Sequence, residues 1–213
     1  MTPAEADALV ADALARADRD RWLAVLWARE RARPGLVALF ALDLELARVV
    51  ATTSDPRIGA IRLAWWRERL EALDDGPPPA QPVLVAIAAH VAPLTGGAAL
   101  AGLEDGWLRA LDGDAGGAAR RRGPTLFALA AQLMGDSAPG GLGEAWAAGE
   151  AARAGRRVEA PAPVAGAARA LRPLVGLDRL GARDARRLAR GRATERRATP
   201  GRQLVLAKAA MLG

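Results

Sequence analysis

The sequence contains no cysteine and no tyrosine, one histidine, one lysine and only two phenylalanines. Without cysteine there is no disulfide and no Cys-ligated zinc, and the redox compartment stays open. A Ser-His-Asp arrangement could be built only around His90. That residue lies in the apolar run VLVAIAAHVAPL, so a packed or half-exposed helical histidine is expected instead. No apolar run approaches the roughly 20 residues that a membrane-crossing helix needs. The opening MTPAEADALVADALARADRDR carries acids throughout, so neither a signal nor a transit peptide is expected. The expected location is the cytoplasm, with contact to the inner-membrane surface as the outer limit.

What remains is 213 residues rich in Ala, Leu, Arg and Gly, with a net charge of +6 and six tryptophans. The near-absence of lysine points to a GC-biased composition, which weakens functional readings of arginine number. Apolar residues recur at helical spacing, and alternating β-type runs are missing. Helices are predicted at about 3–17, 19–31, 35–52, 56–73, 82–92, 98–111, 117–134, 142–154, 164–190 (with a break near Pro173) and 201–211. Thr2, Pro3 and Glu5 form a capping box with proline at the first helical position. Asp55 before Pro56 is a second expected cap. The breaks between segments are turn chemistry, so one all-α domain over residues 1–213 is predicted.

Two places invite chemistry. Asp43 falls on or near the apolar stripe of the third helix, formed by Leu36, Leu39, Phe40, Leu46, Val49 and Val50. A buried carboxylate without a partner is costly, so Asp43 should meet a cation, with Arg62 or Arg67 as the expected source, or face a cavity. In IGAIRLAWWRERL (58–70), Trp66 shares a face with Arg62, Arg69 and Leu73. Trp65 lies about 100° round, near Ile58 and Ile61, so the two rings should serve two surfaces.

Several segments together resemble the squalene/phytoene synthase family. They are DRDRWLAVLWARERARPGLVALFALDLELARVV, SDPRIGAIRLAWWRERLEAL, QPVLVAIAAH, RRRGPTLFALAAQLMG and LGEAWAAGEAAR, in that order. The resemblance covers about residues 18–155 and is weak over 156–213. It implies the all-α isoprenoid synthase bundle around a central cavity. In active members two aspartate-rich motifs hold Mg²⁺, which neutralises a prenyl diphosphate and helps it leave; hard Mg²⁺ requires well-placed oxygen ligands.

This chain departs from that pattern at both motifs. The first slot, 47–51, reads ARVVA, and the second, 154–158, reads AGRRV. The expected ligand positions Ala47, Ala51, Ala154 and Val158 thus carry no oxygen donor. EAPAP stands where the family has a Tyr-Leu-Pro segment. Glu45-Leu46-Ala47-Arg48-Val49 is similar to the family's degenerate branch, which includes the mitochondrial complex I assembly factor and bacterial relatives. The resemblance therefore implies a non-catalytic accessory or assembly factor with no cofactor. A protein partner in a respiratory or isoprenoid complex is expected, with an isoprenoid or quinone as possible ligand. Asp43, Arg62, Trp66 and Arg153 are the expected cavity residues. The alternative is an active, Mg²⁺-dependent prenyltransferase that condenses two prenyl diphosphates.

Residues 169–202 hold eleven arginines against Asp178, Asp184 and Glu195, so this stretch is more positive than the whole chain. Arg179, Arg183, Arg186 and Arg190 form one helical stripe. A solvated face is one reading of it. The other is an anionic partner, above all a membrane surface or an acidic protein. No aromatics interleave the stripe for base stacking, which argues against RNA or other nucleic acid.

Overall fold

Apolar stripes at helical spacing are buried against one another in a computed structural model that describes residues 1–159 and 161–212. Ala160, within the EAPAP segment, and Gly213 lie outside the described residues. The helices are α1 (Pro3–Ala17), α2 (Arg19–Leu26), α3 (Arg33–Thr52), α4 (Pro56–Glu71), α5 (Pro82–His90), α6 (Ala92–Thr95), α7 (Gly97–Ala101), α8 (Leu103–Leu111), α9 (Ala115–Leu133), α10 (Glu144–Arg153), α11 (Arg172–Ala189) and α12 (Pro200–Leu212). Short 3-10 turns occupy Glu30–Ala32, Ala72–Asp74 and Arg169–Leu171. No strand occurs among the described residues.

Local chemistry sets the helix ends. The Thr2 side chain accepts from the Glu5 backbone N–H while Glu5 accepts from the Thr2 N–H, closing the capping box. Asp55 accepts from the Arg57 N–H at 2.8 Å and starts α4. Gly143, the residue before α10, supplies no side-chain cap. Asp178 reaches across from α11 and accepts from the Gly143 and Trp146 N–H groups at 3.0 and 3.2 Å. Its other oxygen takes the Val164 N–H at 3.1 Å and anchors the chain before α11. Burial raises the Asp178 pKa, against the opposing pull of these backbone donors.

Helix α3 runs through the centre, with Gly35 to Asp43 buried without interruption. Around it the buried apolar residues form one connected cluster that runs from Ala6 to Leu206. Helices α10 and α11 touch backbone to backbone. A Cβ added to Gly181 would fall 2.2 Å from the Trp146 Cα, and one added to Gly149 would fall 2.5 Å from the Gly181 Cα.

Several predicted boundaries shift. The segment expected as 19–31 stops at Leu26, where Arg33 donates to the Leu26 and Ala28 carbonyls, each at 3.0 Å. Arg33 and Pro34 open α3 rather than breaking the chain before it. The 98–111 segment divides at Gly102 into α7 and α8. The predicted 164–190 helix begins only at Arg172, because Pro173 occupies its first turn. His90 is half-buried, and its Nε2 lies 2.9 Å from an Asp7 carboxylate oxygen.

Candidate functional site

Four helices leave a cavity of about 580 Å³ between them. Leu44, Ala47, Val50 and Ala51 of α3 form one wall, and Trp107 and Ala110 of α8 the next. Ala115, Ala118, Ala119 and Arg122 come from α9, and Ala147, Glu150, Ala151 and Ala154 from α10 or its end. Arg21 of α2 completes the lining, and the exposed Arg156 also contributes to it. The alanines are what make the space: short side chains on facing helices leave room that Leu would fill. A cavity of this size is in the range that holds a small organic molecule.

Asp43 lies beneath this cavity, fully buried, and is gripped from two sides. Arg122 donates from Nε to Oδ1 at 2.8 Å and from Nη2 to Oδ2 at 2.6 Å. Arg21 donates from Nη1 to Oδ2 at 2.8 Å and from Nε to Asp18 Oδ2 at 2.7 Å. Burial pulls the Asp43 carboxyl up, but Arg122 and then Arg21 outweigh it and hold its pKa below the ordinary value. Aromatic rings back the guanidiniums. The Arg122 Cζ stands 4.0 Å from the Trp107 ring centroid and 4.6 Å from that of Trp146.

The same pairing extends outward. Glu150 accepts from Arg197 Nη2 at 2.7 Å, and Arg197 Nη1 reaches Asp18 at 3.0 Å. Burial raises the Glu150 pKa, but Arg197, Arg21 and Arg122 together bring it down to about 2. Arg202 bridges Asp20 and Asp184, and Arg153 donates to Asp184 Oδ2 at 2.7 Å. The network thus sets Asp18, Asp20, Asp43, Glu150 and Asp184 against Arg21, Arg122, Arg153, Arg197 and Arg202, and its charges balance.

The residues singled out in the sequence divide into two groups. Asp43 supports the cavity from below, while Ala47, Ala51 and Ala154 line it. Val158 does not. Helix α10 ends at Arg153 and Gly155 turns the chain with a φ of +77°, so residues 154 and 158 do not share a helical face. Val158 lines a separate recess of about 190 Å³. Arg62 and Trp66 are also elsewhere, in an outer groove of about 360 Å³ with Trp65. Arg62 donates to Thr53 Oγ1 at 2.9 Å and Arg67 lies 3.4 Å from Glu104, so neither serves Asp43. Arg153 faces α11 rather than the cavity; besides Asp184 it donates to the Glu195 carbonyl at 2.9 Å.

The α11 stripe is also divided. Arg183 is paired with Glu195, Arg179 is half-buried, and Arg186 and Arg190 are exposed. Arg21, Trp107, Arg122, Glu150 and Arg197 are the residues that the sequence reading did not select. A signal for two of them was present: a carboxylate on an apolar stripe requires a cation from an equally buried helix face, which Arg21 and Arg122 supply.

As a divalent-cation site the lining is poor. Glu150 is the one carboxylate in it, and Arg197 holds that group. Asp43 is sealed under two guanidiniums. No group of three or more His, Cys, Asp or Glu able to hold a metal ion occurs among the described residues. The donor set does not fit Mg²⁺. No helix among the described residues is long and apolar enough to cross a membrane.

The squalene/phytoene synthase family model matches residues 14–96, which span α2 to α6 and include Arg21, Asp43, Ala47, Ala51 and the Trp65–Trp66 pair. The match ends before α8, α9 and α10, which supply the other three walls. No curated protein and no solved structure matches the chain.

Proposed function

We infer that the squalene/phytoene synthase domain matched over residues 14–96 has kept its cavity and given up metal-dependent chemistry, so that the protein acts as a non-catalytic accessory or assembly factor. One observation carries this reading. Ala47, Ala51 and Ala154 face a cavity of about 580 Å³ whose single lining carboxylate, Glu150, is held by Arg197. Leaving-group departure from a prenyl diphosphate needs a strong counter-charge at the diphosphate. Here the buried guanidiniums are already matched by Asp18, Asp43 and Glu150.

The cavity serves as a holding site for an apolar ligand, an isoprenoid or a quinone, in a protein that works beside a respiratory or isoprenoid-handling complex. Peripheral contact with the inner membrane is compatible with this role, and no nucleic-acid partner is required. The test is thermal unfolding with and without farnesol, farnesyl diphosphate and a short-chain quinone. A melting temperature that rises with at least one of them supports the holding site. No shift with any of the three counts against it.

A further inference from the structure

The same cavity distinguishes between headgroups. Arg122 is 93% buried by its 7% exposure, and Asp43 takes its Nε and Nη2 donors. Its Nη1 bonds no described protein atom. Among the described residues the only polar side-chain atoms both orphaned and sealed are Trp107 Nε1 and Arg172 Nε, so Arg122 Nη1 is not sealed, and Arg122 itself lines the cavity. One hydrogen-bond donor therefore awaits an acceptor there.

Its charge does not. Arg122 and Arg21 share Asp43, and Glu150 lies in the lining itself. A diphosphate entering the cavity would be desolvated beside the Glu150 carboxylate, where the buried cations are already matched; Arg156, the remaining cation of the lining, is exposed and screened by water. A neutral molecule meets no such penalty. It buries apolar area against the alanine walls and can offer one oxygen to Arg122 Nη1.

We propose that the cavity selects a neutral apolar molecule carrying an acceptor oxygen, such as a hydroxyl or carbonyl, and rejects the diphosphate of the same chain. This rests on the ligand-holding reading and gives it a headgroup. Glu150 is the specificity residue: its carboxylate excludes anions, while Arg122 supplies the hydrogen bond.

Farnesol and farnesyl diphosphate share one tail and differ only in the head, so they make the decisive pair. Binding is measured calorimetrically on the full chain, without added metal and with farnesol below its solubility limit. Farnesol should bind at least tenfold more tightly than farnesyl diphosphate. In Glu150→Gln the diphosphate should gain at least tenfold, because Arg197 then loses its matching charge, while farnesol should change less than threefold. Ala47→Leu, which fills the cavity, should abolish farnesol binding and so separates the site from general adsorption. Should Glu150→Gln fail to fold, the wild-type comparison and Ala47→Leu still decide. Tighter binding of the diphosphate by wild type overturns the headgroup assignment and leaves the holding site standing. If wild type binds neither ligand, the headgroup assignment falls, and the holding site falls with it if the short-chain quinone also leaves the melting temperature unchanged.

Discussion

Arg122 and Asp43, 79 positions apart in the chain, meet through two parallel hydrogen bonds of 2.8 and 2.6 Å under the floor of the cavity. The pair ties α9 to α3, and Arg21 adds α2 to the same carboxylate. Removing one partner leaves a buried charge unmatched, which costs more than the pair contributes. Asp43→Ala should therefore lose about 3–5 kcal/mol in urea unfolding. The double variant Asp43→Leu, Arg122→Met should recover part of that loss, because the two charges leave together.

Glu150 makes stability depend on acid. Its folded pKa, about 2, lies below the ordinary value of 4.5. A carboxyl with a depressed folded pKa contributes stability that is complete above the unfolded value and is lost as pH falls through the folded one. The melting-temperature gap between wild type and Glu150→Gln should thus be full at pH 6 and close between about pH 4.5 and 2. A gap that stays constant over that range would contradict the Glu150–Arg197 pairing.

The two adjacent tryptophans should respond differently to truncation. Trp66 is 6% exposed and Trp65 is 41% exposed, with their rings edge to face at 5.2 Å. Trp66→Ala should cost about 3–5 kcal/mol, as large-to-small changes in a core do. Trp65→Ala should cost under about 1.5 kcal/mol, mostly the lost ring–ring contact. Chemical denaturation of the two variants checks the order.

Gly181 tests the helix contact on which one cavity wall depends. Its nearest neighbours are backbone atoms of Trp146 and Ala145, which cannot move aside as a side chain can. Gly181→Ala should push α10 away from α11 and destabilise by about 1–3 kcal/mol or more. Gly140→Ala, where an added Cβ meets nothing within 4 Å, is the control and should be nearly neutral.

The helices were readable in the chain because each carries its own local signals. Thr2 with Glu5, and Asp55 before Pro56, mark starts that need no knowledge of the rest of the molecule. The Trp65–Trp66 pair divided between two surfaces for the same reason: 100° per residue is a local property. Asp43 shows where such reading stops. Its position on an apolar stripe demands a cation, but the cation comes from α2 and α9, and no helical periodicity reports which distant faces meet. Arg62 and Arg67, on the next helix in sequence, aim elsewhere. Val158 lies apart from Ala154 for a different reason: the helix expected over 142–154 ends at Arg153, and Gly155 then turns the chain so that residue 158 lines a separate recess. The α11 stripe was legible as a pattern, yet Arg183 is taken by Glu195 once the chain after α11 folds back.

The most direct test of the account is diphosphate release from farnesyl diphosphate in the presence of excess Mg²⁺, followed over hours with protein at micromolar concentration. The predicted result is release no faster than in protein-free buffer, because the cavity's one lining carboxylate is held by Arg197 and its alanine positions offer no metal ligand. Release that scales with protein concentration and stops when Mg²⁺ is chelated would contradict it and make the protein an active prenyl transferase.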